Sequence, residues 1–326
     1  MNRRIVINGA MFFFLFAVPL AVSEGRAETY PTKPLRMVVP FPPGGGTDST
    51  ARVIANVLSD RLGQRIIVDN RPGATGRIGT EIVANSAPDG YTLLMGSAGP
   101  NAILPAAGAK LRYDPIKDFA PVSLIAISDY ILVVHPSLPV KTVKDLIALA
   151  RSKRGQLNYA SAGNMSVANL SGELFKQLAK VDMVHVPYKG GGPAIAALLA
   201  GEVPIYFSSG PSVAPHARSG RVRLIATTGT KRSKTFPELP TIAETLPGYA
   251  VSQWFGILVP AGTPRDIVSK LNGLIVKATS DEKVTRQIEA LGSQPVSNST
   301  KEFAAFINAQ IGKWAKVTRT AGMVVK

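Results

Sequence analysis

The stretch Met37–Val38–Val39–Pro40–Phe41–Pro42–Pro43–Gly44–Gly45–Gly46–Thr47–Asp48 constrains this chain more than any other. A short apolar run stops at a Pro/Gly loop. Ala51, Ile54, Ala55, Leu58 and Leu62 then follow at the spacing of one helix face. The loop therefore joins the carboxyl end of a strand to the amino end of a helix, predicted over residues 48–62. Unpaired backbone N–H groups and the positive end of the helix dipole collect at such a junction, which suits an anion. Gly44, Gly45 and Gly46 lack the Cβ atoms that would hold a ligand off the backbone. The same glycines also serve simply to turn a chain. Neither nucleotide signature fits. Thr47–Asp48 stands where a P-loop requires Lys–Ser/Thr, and the G-x-G-x-x-G spacing is absent. Asp48 suits the first turn of a helix and can pair with Arg52 one turn on.

The same grammar recurs. Strands are predicted at Leu35–Val39, Arg65–Val68 and Tyr91–Gly96, with a helix carrying Ile78, Ile82 and Val83 after the loop Asn70–Gly76. This β-α-β-α-β order implies a mostly parallel sheet covered by helices. Loops beyond the carboxyl ends of such strands collect ligands, which makes Ser97 and Asn101 candidate contacts as well as candidate turn caps. Val122–Ile127 and Tyr130–Val134 read as two strands divided by Ser128–Asp129, where the chain is expected to pass to a second α/β unit. In that unit Thr142 is the expected cap of one helix. Strand Leu157–Ala160 leads through Ser161–Ser166 to a helix with Leu170, Leu174 and Leu178. Strand Val184–Val186 leads through Tyr188–Gly192 to another, with Pro193 at its first position. Val203–Phe207 and Leu224–Thr227 are further strands, and Ser208–Ser209–Gly210 is a loop. Val251–Val259 returns to the first unit, and helices Ile267–Ala278, Glu282–Leu291 and Lys301–Ala321 follow, the last capped by Thr300.

Bulk properties bound the function. A chain of 326 residues accommodates about two domains. Hydrophobic content of 45% supports a core, and 18% charged residues is too few for a disordered chain. The absence of cysteine excludes disulfides, thiol catalysis, Cys-ligated metals and lipid attachment through an N-terminal cysteine. Arg3 and Arg4 followed by an apolar run to Leu20 read as a secretory signal, too short to span a bilayer, with cleavage after Ser23 or, preferred, after Ala27. The net charge is +16; residues 1–27 contain three arginines and one glutamate, so the remainder carries +14. Lys and Arg are dispersed rather than clustered with aromatics, which argues against nucleic acid; a membrane surface, acidic partners and the steering of anionic ligands stay open.

Catalysis is not expected. His135, His185 and His216 are far apart and in no metal-ligand spacing, and neither H-E-x-x-H nor G-x-S-x-G occurs. Ser161 and Ser166 have no base nearby in sequence; His185 reaches them only through the fold. Asp48 and Asp129 do not form a glycosidase signature. No catalytic residue, metal or cofactor is expected.

The signal-like N-terminus, Tyr30–Leu35, Val39–Asp48, Asn70–Gly73, Ala87–Leu93, Tyr159–Gly163 and Val186–Gly190 together resemble the Bug family of extracytoplasmic solute receptors of tripartite tricarboxylate transporters. The resemblance covers essentially the whole chain beyond the signal. It implies a two-domain periplasmic binding protein of the Venus-flytrap, type II-like kind. Residues 28–128 with 250–326 would form one domain and 129–249 the other. It also implies a monomer that hands a small organic acid to a two-subunit membrane permease. The ligand class spans mono- and dicarboxylates, aromatic acids and amino acids. The same module serving a sensor partner is the alternative. Family members hold carboxylate through backbone and hydroxyl groups of two opposed loops, here Phe41–Asp48 and Ser161–Asn169. The candidate ligand residues are thus Phe41, Pro42, Gly44, Gly45, Gly46, Thr47, Asp48, Ser97, Asn101, Asp129, Ser161, Gly163, Asn164, Met165, Ser166, Asn169, Tyr188 and Gly190. Asn169 stands where many relatives have His, and Met165 interrupts a familiar glycine-rich turn. Asp129 accepts a ligand ammonium group, rejects a second carboxylate or faces solvent in a turn, and Phe41 either walls the pocket for an aromatic ring or packs beneath its loop.

Overall fold

A computed structural model describes residues 30–234 and 236–320, together with Met1 and Met323. The expected signal segment lies outside the described residues. Successive side chains of a strand point to opposite faces, and Met37–Val38–Val39 is apolar on both. Such a strand needs cover on each side. Met37 and Val39 belong to a buried cluster with Ile54, Leu58, Leu271 and Ile288, whereas Val38 belongs to another, which includes Val83, Phe303 and Trp314.

The first half comprises β1 (Leu35–Val39), α1 (Gly46–Leu62), β2 (Ile66–Asn70), α2 (Arg77–Ala84), β3 (Thr92–Ser97), α3 (Leu104–Ala106) and the start of β4 (Phe119–Val134). The second half holds α4 (Val143–Ser152), β5 (Asn158–Ser161), α5 (Val167–Ala179), β6 (Val184–Pro187), α6 (Gly191–Leu199), β7 (Ile205–Ser209), α7 (Gly210–Arg218) and β8 (Arg223–Thr227). The chain then returns through β9 (Ser252–Pro260) to α8 (Arg265–Thr279), α9 (Glu282–Ala290), β10 (Gln294–Pro295) and α10 (Thr300–Thr320). The first sheet runs β2-β1-β3-β9-β4, with β10 on β4. β1, β2 and β3 are parallel, and β9 inserts antiparallel between β3 and β4. In the second sheet β4 lies antiparallel between β7 and β8, and β5 pairs in parallel with β6 and β7.

The two strands expected on either side of Ser128–Asp129 are one. Ser128 and Asp129 stay in register with Gln253 and Ser252, and from Tyr130 onward β4 pairs with β7. The polar pair marks a change of sheet rather than a turn. Thr142 caps α4 as expected, its hydroxyl accepting from the Asp145 N–H. Two other helix starts differ. α6 begins at Gly191, which makes Pro193 its third residue. Ser299, not Thr300, caps α10: its hydroxyl accepts from the Glu302 N–H at 3.2 Å while Glu302 accepts from the Ser299 N–H at 2.9 Å. That is the reciprocal capping box, which uses both side chains where Thr300 would use one. Among the described residues, no helix is long and apolar enough to cross a membrane.

Candidate functional site

α1 starts without a capping side chain: Gly45 is extended, and the N–H groups of the first turn are left open. The loop before it is braced from behind. The Asp48 carboxylate accepts from the Gly44 N–H at 3.0 Å, Arg52 Nε at 3.0 Å and Asn70 Nδ2 at 2.9 Å, and Asn70 also donates to the Phe41 carbonyl at 3.0 Å. Burial pushes the Asp48 carboxyl up, but these hydrogen bonds together outweigh it and hold the group below the usual carboxylate range. Asp48 is therefore a structural anion, buried and away from the cleft. Gly44, at φ 81°, makes the turn and does not line the cavity.

Across the cleft, the Ser166 hydroxyl caps α5 by accepting from the Asn169 N–H at 3.2 Å. Asn169 is buried. It accepts from the Met165 N–H at 3.0 Å and donates to the Tyr159 hydroxyl at 3.0 Å, which in turn donates to Glu173 at 2.6 Å. Met165, at φ 60°, is held in the left-handed region by this network. Ser161 Oγ lies 2.6 Å from His185 Nε2 and accepts from the Gly163 N–H at 3.1 Å. The fold thus supplies the histidine that the local sequence lacks. Ser161 is nevertheless fully buried, and its bonds shape the loop. Burial depresses the His185 imidazole, keeping it neutral.

Two further helix starts face the same space. α6 begins after Gly190 and α7 after Ser209, both without a side-chain cap. The cavity between the sheets is lined by Gly45, Gly46 and Thr47 of α1, Ser166 and Val167 of α5, Gly191 of α6, and Ser209 and Ser212 at α7. Phe41 and Phe255 supply apolar walls, and Tyr130, Tyr206 and Gln253 supply polar groups. Its volume is small, about 30 Å³, and it is partly open to solvent. No Lys, Arg, His, Asp or Glu is among its described lining residues. Burial pushes the Tyr130 and Tyr206 phenols well up, so both remain O–H donors. The Gln253 carbonyl oxygen accepts from the Ala98 and Trp254 N–H groups, each at 3.1 Å. This leaves its NH₂ end to donate. The arrangement offers backbone and neutral side-chain donors, which can hold an anion without a buried cation.

Phe41, Gly45, Gly46, Thr47 and Ser166 thus come together at the cavity. Pro42, Gly163, Asn164, Tyr188 and Gly190 line an outer space beside it. Ser97 and Asn101 are buried behind it, Asn101 Oδ1 accepting from the Ser97 N–H at 3.1 Å, and Gly99 faces the cavity instead. Asp129 lies at the sheet crossing, in a groove with Lys231 and Lys234. It therefore neither meets the cavity nor sits in a turn. Sequence reasoning missed Tyr130, Tyr206, Ser209, Ser212 and Gln253. Of these only Ser209 carried a signal, in Ser208–Ser209–Gly210 read as a small-residue loop beyond a strand; there is no loop there, because β7 runs to Ser209 and α7 starts at Gly210.

The halves touch across the cleft. Thr75 Oγ1 donates to the Asn164 carbonyl at 2.6 Å. A Cβ on Gly45 would lie 3.8 Å from the Gly192 nitrogen, and one on Gly192 would lie 2.8 Å from the Pro43 carbonyl.

The chain is 39% identical to Protein BugT of Bordetella pertussis over 328 aligned residues, covering 100% of this chain and 99% of BugT. An R. palustris protein solved with adipate superposes with a TM-score of 0.88 at 38% identity, covering 90% of this chain and 98% of that one. MatC from Rhodopseudomonas palustris with bound malate gives 0.83 at 34% identity, covering 88% and 99%. BugD, a periplasmic binding protein, gives 0.85 at 30% identity, covering 91% and 100%. These relatives are solute-binding proteins, not enzymes. The sequence model described as the tripartite tricarboxylate transporter family receptor matches residues 50–323, and the chain belongs to that family.

Proposed function

We propose that this protein captures a small organic carboxylate in the periplasm and delivers it to a two-subunit membrane permease. The observation that carries this reading is the cavity ringed by the starts of α1, α5, α6 and α7, with hydroxyl and amide donors and no charged side chain. Helix N-termini complement a carboxylate while leaving it free to depart. Related proteins with adipate and malate bound support the ligand class. In this reading residues 1–27 are a cleaved signal, residues 28–128 with 250–326 form one domain, and 129–249 form the other. The net charge of +14 that remains beyond residue 27 favours anionic ligands by steering.

A thermal-shift screen of mono- and dicarboxylates, aromatic acids and amino acids tests the reading. A true ligand at a hundred times its Kd should add about 2.7 kcal/mol. Unchanged melting across all four classes would overturn it.

A further inference from the structure

Asp129 differs from the other engaged aspartates of this molecule. Asp48, Asp69, Asp114, Asp145 and Asp281 each accept hydrogen bonds on their carboxylates. Among the described residues nothing donates to the Asp129 carboxylate, and Lys313 acts on it from α10 without closing an ion pair. A carboxylate drawn out of water without donors costs stability, so its place asks for a cause. The backbone makes room for it: a Cβ on Gly229 would overlap Asp129 Oδ2.

The carboxylate forms one wall of a groove of about 260 Å³ that shares no lining residue with the cleft cavity. Gly292 and Gln294 reach the groove from the first half, and the loop Thr230–Lys234 reaches it from the second. That loop leaves from Thr228, whose N–H and carbonyl bind Tyr130 and Val251 at the two passages between the halves. The groove therefore spans both halves beside those passages. Its charges are of both signs. Arg232 is committed to Glu244, donating to it at 3.0 and 2.9 Å. Lys231 and Lys234 are exposed at the rim and belong to no ion pair among the described residues. A simple amine here would meet Asp129 but be repelled by the two lysines, and a simple acid would meet the lysines but be repelled by Asp129. A molecule carrying both an ammonium and a carboxylate satisfies both sides.

We propose that this groove binds a small zwitterion of the amino-acid class, its ammonium donating to Asp129 and its carboxylate facing Lys231 and Lys234. Because both halves line the groove, its occupant binds the open and closed arrangements unequally and shifts the balance between them.

Calorimetry with glycine and 4-aminobutyrate, set against butylamine and butyrate, tests the site. Gly45→Leu, which places a leucine side chain at the cleft cavity, serves as the background, so that the groove is read without the cleft. One or both zwitterions should bind there at least about tenfold more tightly than butylamine or butyrate. Asp129→Asn, which keeps the shape and removes the charge, should weaken that binding about ten- to hundredfold. Lys231→Ala with Lys234→Ala should weaken it about two- to fivefold. Asp129→Asn in the parent chain should cost zwitterion affinity too, which keeps the test independent of the folding of Gly45→Leu. Small-angle scattering of the Gly45→Leu protein should show a shifted radius when the zwitterion saturates it. Absence of zwitterion binding in the Gly45→Leu protein, or binding that survives Asp129→Asn, would overturn the site. A radius that ignores the bound zwitterion would overturn its effect on the balance between arrangements.

Discussion

Asp48 looks at first like an obstacle to anion binding, since it brings a negative charge into the first turn of α1. Its four-residue spacing from Arg52 already pointed to an ion pair, and the pair forms at 3.0 Å. With Arg52, Asn70 and the Gly44 N–H on its oxygens, the charge is engaged behind the loop. Asp129 is the opposite case. Burial pushes its carboxyl up to about 6, although nearby Lys313 pulls the other way. The folded state therefore binds this proton more tightly than the unfolded chain, whose aspartate titrates near about 3.9. Its contribution to stability is full below that lower value and is lost as pH rises through about 6. Asp129→Asn should thus stabilise the protein at pH 7 by about 1–2 kcal/mol, part of the gain being lost because Lys313 loses its counter-charge. Near pH 3.5 the variant and parent should be equal. Urea unfolding at both pH values measures this, and a gain that is the same at each pH would refute it. Single residues divide sharply in what sequence reveals. Arg52 was legible because helix spacing is local. Gln253, next to Ser252 at the start of an apolar strand, had no local pattern, and its role depends on Ala98 reaching it across 155 positions.

At the scale of elements, strand–loop–helix units were readable wherever a helix carried a regular apolar face. α1 and α5 emerged with their loops for that reason. α7 did not: it begins Gly-Pro and carries Pro215 inside, so a helix there contradicts local propensity and is sustained by packing, as of Val213 in the core. Missing α7 hid the place of Ser209 and Ser212 at the cavity. α6 supplies a test of whether helix starts must meet across the cleft. Gly192 is its second residue, where alanine suits the helix better by up to about 1 kcal/mol. The obstacle is the Pro43 carbonyl of the opposite half, 2.8 Å from an added Cβ. Gly192→Ala should therefore keep or slightly raise the melting temperature of the unliganded protein. Its affinity for a ligand identified by the screen should fall by about tenfold, the cost of a modest overpacking at a closed contact. Unchanged affinity by calorimetry would show that these loops need not approach for binding.

The whole molecule turns on its two crossings, β4 at Asp129–Tyr130 and the entry to β9 at Val251–Ser252. Hydrogen bonds tie them side by side: the Thr228 N–H donates to the Tyr130 carbonyl at 2.8 Å, and the Val251 N–H donates to the Thr228 carbonyl at 2.9 Å. Adjacent strands joined in this way bend together, which is what a hinge of a few residues requires. Among the described residues the halves also meet without a covalent passage: at the cleft through Thr75 with Asn164, Gly45 with Gly191 and Gly192, and Pro42 with Gly190, and beside α7 through Arg218, which donates to the Ala290 carbonyl at 2.6 Å, and the Gly210 N–H, which donates to Ser128 Oγ at 3.2 Å. A hydrogen bond of this kind contributes only about 1 kcal/mol net, so a ligand bound between the halves can add materially to the closed arrangement. A carboxylate bound to helix starts from both halves can do so only in that arrangement. Small-angle scattering should therefore find the ligand-free protein larger than the roughly 19 Å radius of gyration of a compact chain this long. Saturating ligand should bring it down towards that value. Thr75→Val, which keeps the shape and removes the cross-cleft bond, should leave the ligand-free radius unchanged while raising the ligand concentration needed for compaction by about five- to tenfold. Compaction that ignores Thr75 would place the closing force elsewhere, and a radius indifferent to ligand would mean that the two crossings do not act as a hinge.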